Sequence, residues 1–185
     1  MRFFTPELLK RYRSTDDVVA DAASEEWDRA IDAYRRHVKD LRRKMSDSAK
    51  DAMRLPSLHD ARLIGYLAAK GPLVIMIARL EGSKGVPGPI LEYAYHTVGR
   101  DGRKGVSSTK HDAGETLPKK GLPYLLYDEF DLGETPDTFT HSILFSDGTV
   151  TRVRFRELTA RLVEPLAVPG IQEAGSELSL AGAGS

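Results

Sequence analysis

At 185 residues, with 41% hydrophobic and 29% charged side chains, the chain has the composition of a soluble globular protein. Lys/Arg and Asp/Glu balance at 27 each, so no strong basic field exists for non-specific nucleic-acid binding. The absence of Cys excludes disulfides, thiolate metal sites, iron–sulfur ligation and Cys catalysis, and the longest apolar run, Leu73 to Ala78, is far short of a membrane span.

The hydrophobic period changes once, at Leu55-Pro56. Before that point apolar residues recur every three or four positions, and after it they alternate. Thr5-Pro6-Glu7 predicts a short first helix ending near Arg13, with Thr as cap and Pro in the first turn. Ser14 or Thr15 is expected to cap a second helix, whose stripe runs Val19, Ala22, Ala23, Trp27, Ala30, Ile31, Tyr34, Val38, Leu41 and Met45. A break at Ser24-Glu25-Glu26 is an open alternative. Trp27 reads as a core anchor on that stripe. Arg35, Arg36, Lys39, Arg42, Arg43 and Lys44 form the most basic patch, expected to be a solvated face with pairs such as Asp32–Arg36, Glu25–Arg29 and Asp40–Lys44, and with His37 solvated among them.

From residue 55 the pattern predicts strands near 61–68, 72–81, 88–98, 123–132, 138–145 and 149–157, the last extending toward 163. Ser146-Asp147-Gly148 fixes one register. A three-residue loop with Gly148 left-handed pairs Phe139, His141, Ile143 and Phe145 with Phe155, Val153, Thr151 and Thr149, and so assembles one apolar face. Residues 99–122 lack periodicity and are expected to be a mobile loop, a lid or a partner-binding segment. Residues 166–185 dwindle into Gly, Ala and Ser and read as a flexible tail. The fold expectation is α+β: a helical arm (1–54) packed on a twisted antiparallel sheet of five to seven strands (55–165), able to curl into a partial barrel.

Polar residues that could carry chemistry concentrate at Leu58-His59-Asp60, Tyr127-Asp128-Glu129-Phe130 and His141-Ser142. His59, Asp60, Glu129 and His141 are the candidate catalytic set, and His59, Asp60 and His141 the candidate metal ligands of a metal-dependent or acid–base hydrolase. Adjacent strand residues face opposite ways, so Asp128 and Glu129 cannot serve one site without a bulge. On the preferred register His141 points into the apolar face, where a neutral imidazole bonded to a carbonyl or carboxylate is the simpler reading. Tyr93, Tyr95 and Tyr127 are the candidate lining of a small-ligand pocket in a barrel-like protein.

The segments Met1-Arg2-Phe3-Phe4-Thr5-Pro6-Glu7-Leu8, Leu58-His59-Asp60-Ala61, Leu126-Tyr127-Asp128-Glu129-Phe130, His141 to Gly148 and Arg154-Phe155-Arg156 resemble a bacterial family labelled only as a domain of unknown function. That resemblance implies a bacterial cytoplasmic protein and assigns no catalytic residue. Met1 to Pro6 lacks the apolar stretch of a signal peptide, in keeping with a cytoplasmic setting. No cofactor is expected. The leading functional expectation is a non-enzymatic protein-interaction or regulatory module, immunity-like in character. Its partner would be a protein or a second copy of the chain, with no membrane and no nucleic acid.

Overall fold

The computed structural model describes residues 1–68, 71–82, 87–98, 102–112 and 123–163. Helix α1 (Pro6–Tyr12) starts where Thr5 accepts a hydrogen bond from the Leu8 amide, with Pro6 in its first turn. Helix α2 (Asp17–Leu41) is capped by Asp16, not by Ser14 or Thr15 as expected; its carboxylate accepts from the Val18 and Val19 amides and also complements the helix dipole. The helix runs unbroken through Ser24-Glu25-Glu26, because Glu25 lies on its solvent face and pairs with Arg29. The other two pairs form one position earlier than expected, as Asp32–Arg35 and Asp40–Arg43. A 3-10 turn at Arg42–Lys44 then redirects the chain into a short helix that the sequence pattern did not separate, α3 (Asp47–Ala52), capped by Ser46.

Seven antiparallel strands follow among the described residues: β1 (Arg62–Ala68), β2 (Leu73–Arg79), β3 (Ile90–Thr97), β4 (Val106–Lys110), β5 (Leu125–Leu132), β6 (Phe139–Phe145) and β7 (Thr149–Val163). The sheet order is β1-β2-β3-β7-β6-β5, and β4 pairs with β7. The 15-residue β7 is the spine. Its first half pairs with β6 and β4 on its two sides, and its second half turns to pair with β3. The sheet therefore curls into a half-barrel, and the fold is α+β.

The expectation of a structureless 99–122 is corrected in part. Residues 102–105 form a 3-10 turn and Val106–Lys110 a strand on β7, while 99–101 and 113–122 lie outside the described residues, as do 164–185. β4 escaped detection because Val106 is its one strongly apolar residue; four of its five residues are exposed, as on an edge strand.

The β6–β7 register is the one its loop demands: Phe139 pairs with Phe155, His141 with Val153, and Ile143 with Thr151. Gly148 has φ of +81° and donates its amide to the Phe145 carbonyl at 2.9 Å. Inward residues Tyr95, Ile143, Val153, Phe155 and Leu158 pack with Leu41, Met45 and Ala49 from the helices, filling the half-barrel. Outward Leu144 and Val150 pack under Phe4, Leu8, Leu9, Ala23 and Trp27. β6 is thus covered on both faces, which explains its unbroken Ile-Leu-Phe run. Replacing Gly148 by Ala forces a Cβ into the left-handed region and should cost about 1–2 kcal/mol. In urea unfolding the midpoint should fall with the slope unchanged; an unmoved midpoint would contradict this bulged turn.

Candidate functional site

The half-barrel begins to close where residues 60–62 meet the start of β5. The Asp60 amide donates to the Leu125 carbonyl, and the Leu125 amide to the Ala61 carbonyl, both at 2.8 Å. Arg62 and Tyr124 form the adjoining bridge. Ser146 locks this seam from the β6–β7 turn, its amide donating to the Tyr124 carbonyl and its Oγ accepting from the Tyr124 amide. Asp60 takes φ of +62°, a conformation that Asp tolerates better than bulkier residues. Its carboxylate lies 2.7 Å from Nδ1 of His59.

His59 lines a cleft of about 400 Å³ between the helical arm and the sheet. Leu9, Tyr12, Trp27, Ile31, Tyr124 and Tyr127 make its apolar walls, and Arg13, Asp28 and His59 are its charged or titratable groups. The rings support one another: Trp27 meets Tyr127 edge-on at 4.9 Å, Phe4 stacks on Tyr127 at 4.6 Å, and His59 meets Tyr127 edge-on at 5.2 Å. The Arg13 guanidinium donates to the Ser146 carbonyl at 2.8 Å, tying the end of α1 to the same seam.

The candidate residues of the three polar segments do not converge. His59, Asp60 and Tyr127 stand together, but Glu129 is occupied: its buried carboxylate accepts from the amides of Arg2, Phe3 and Phe4. A carboxylate so engaged holds backbone and has no free face for acid–base work. His141 lies through the sheet in the half-barrel interior, fully buried. Its Nε2 sits 3.0 Å from the Asp128 carboxylate and its Nδ1 2.7 Å from the Tyr95 hydroxyl, with Phe130 stacked on the ring at 3.9 Å. With Asp128 ionised, Nε2–H donates to it and Nδ1 accepts the Tyr95 proton, so the imidazole is satisfied on both sides. Strand parity keeps Asp128 and Glu129 on opposite faces, as expected.

This geometry separates two candidate groupings and corrects the expectation for His37. The candidate metal ligands His59, Asp60 and His141 are split by the sheet, and among the described residues no three His, Asp or Glu side chains form a metal-holding group. Tyr93 and Tyr95 stack on each other in the interior, whereas Tyr127 packs in the outer cluster, so the three line no common pocket. His37 is tucked beside Phe3 with Nε2 3.1 Å from Asp131, not free in solvent. Sequence reasoning missed Tyr12, Arg13 and Tyr124 as cleft residues. The usable signal was parity, since Tyr127 and the Trp27 stripe both belong to the outer layer. No protein-family model, no curated protein and no solved structure matches the chain.

Burial raises the pKa of Tyr66 to about 12 and drives those of Tyr34, Tyr93 and Tyr95 well above the ordinary value of 10. The phenol is an acid whose native pKa exceeds its unfolded one. Its contribution to stability is therefore complete below pH 10 and is lost as pH rises from there through the native values. Tyrosinate absorbance should accordingly show these four rings silent above pH 10 until the protein unfolds, then appearing together. Smooth titration of all seven tyrosines near pH 10 would contradict the packing described.

Proposed function

We propose that the protein is a non-enzymatic binding module, interaction or regulatory in role, that docks a segment of a partner protein at the α1–α2 corner. An aromatic or aliphatic side chain of the partner enters the cleft between Tyr12, Trp27 and Tyr127. The observation that carries this reading is an aromatic cleft with exposed apolar side chains beside it at the α1–α2 corner: Tyr12, which lines the cleft, is 50% exposed, and Val18 and Val19, in the first turn of α2, are 79% and 37% exposed. A small molecule held in the cleft would leave Val18 and Val19 bare, whereas a polypeptide covers both. Large aromatic residues with a polar rim of Arg13, Asp28 and His59 are the composition of an interface centre.

The hydrolase reading loses support because its residues are divided between a seam, a backbone clasp and a sealed interior. The barrel-pocket reading loses support because Met76, Leu91, Tyr95, Phe155 and Leu158 fill the half-barrel. A cytoplasmic bacterial setting, implied by the family resemblance, belongs to the same proposal. No helix among the described residues is long and apolar enough to cross a membrane.

Selection of a displayed peptide library on the intact protein tests the reading. Enriched peptides should share an aromatic or aliphatic anchor and lose roughly tenfold or more in affinity on Tyr12→Ser, as truncation of an interface centre does. They should bind Val163→Ser as they bind the parent chain. Failure to enrich, or peptides indifferent to Tyr12→Ser, would overturn it.

A further inference from the structure

Tyr124 separates the aromatic cleft from a second cavity of about 540 Å³, whose walls include Asp60, Arg62, Arg79, Glu81 and Gly88. Arg62 and Arg79 are direct cross-strand partners on β1 and β2. Like charges placed opposite one another repel, so this arrangement opposes the pairing of its own strands. Two arginines of β7 are neutralised by carboxylates, Arg161 by Glu92 at 2.5 Å and Arg154 by Glu134 at 3.7 Å. Among the described residues neither the Arg62 nor the Arg79 guanidinium has an ion pair or a side-chain hydrogen bond, although both backbones pair within the sheet. The nearby acids do not replace one. Asp60 is engaged by His59, and Glu81 makes no ion pair with either guanidinium.

The cavity wall is held in place by backbone. A Cβ at Gly88 would stand 2.1 Å from the Leu80 carbonyl oxygen, so only glycine lets residues 87–89 lie against Leu80-Glu81. The Leu80 amide donates to the Pro89 carbonyl at 2.9 Å and fixes that approach.

We infer that Arg62 and Arg79 form a recognition site for a phosphate-class oxyanion, the tetrahedral head of a phosphomonoester. One guanidinium fork matches one carboxylate, and two forks on one cavity match a group that presents three terminal oxygens. A bound dianion also cancels the repulsion across the β1–β2 pair. This inference stands apart from the peptide-docking reading, because different side chains carry it.

The test uses inorganic phosphate, free phosphoserine and acetate at matched ionic strength. Titration is followed by the arginine Nε–H resonances and by thermal unfolding. Phosphate and phosphoserine should shift the Arg62 and Arg79 resonances and raise Tm, with acetate giving a smaller response. Arg62→Ala and Arg79→Ala should each abolish the phosphate response, and Arg79→Lys should weaken it several-fold because the fork is lost. Without phosphate both alanine variants should melt at or above the parent temperature, which a purely structural role for these arginines would not give. Tyr12→Ser should leave the phosphate response intact, so failure here is distinguishable from failure of peptide docking. Resonances unmoved by phosphate, an equal response to acetate, or a response that survives in the alanine variants would overturn the inference.

Discussion

The structure depends on one buried carboxylate. Glu129, on β5, accepts hydrogen bonds from three successive backbone amides, those of Arg2, Phe3 and Phe4. A buried carboxylate without partners is very costly, while hydrogen bonds to a charged group contribute about 1.5–3 kcal/mol each. The chain thus gains most when its first residues lie across β5. That placement sets Phe4 on Tyr127 and Phe3 on Tyr34, and it delivers α1 and α2 to the outer face of the sheet. The Tyr34 hydroxyl then accepts the Phe130 amide at 2.8 Å, satisfying a backbone group on the free edge of β5. The clasp makes the cleft, since Leu9, Tyr12 and Trp27 reach Tyr127 only when the arm is docked.

The same strand separates two chemistries by parity alone. Glu129 looks outward to the N-terminal segment, and its neighbour Asp128 looks inward to His141. His141 is held by Asp128, Tyr95 and the Phe130 ring, with no face left for a substrate. The imidazole links Tyr95 on β3, Asp128 and Phe130 on β5 and its own strand β6, and so fixes the three strands to one another. The open surface lies instead along the seam, where Tyr124 stands between an aromatic cleft and a pair of unneutralised arginines.

Much of the fold was legible because local and global signals agree. Thr5-Pro6 starts α1, and Ser146-Asp147-Gly148 admits one register that buries a complete apolar face, which places His141 inside. What the sequence hid depends on long-range contact. Glu129 looks like a candidate acid until the first four residues arrive beside it, and nothing local announces that meeting. Arg62 and Arg79 look like ordinary solubilising charges until the β1–β2 register sets them opposite each other. β4 has too few apolar residues for alternation to show, and α3 continues the periodicity of α2 across a 3-10 turn that leaves no gap in the pattern.

Native-state amide hydrogen exchange at Phe3 and Phe4 tests the carboxylate clasp most directly. If Glu129 holds the arm on the sheet, both amides exchange as slowly as the β6 core, through global unfolding alone. Exchange at the rate of an unstructured peptide would mean that the arm is not clasped, and the cleft built upon it would fall with it.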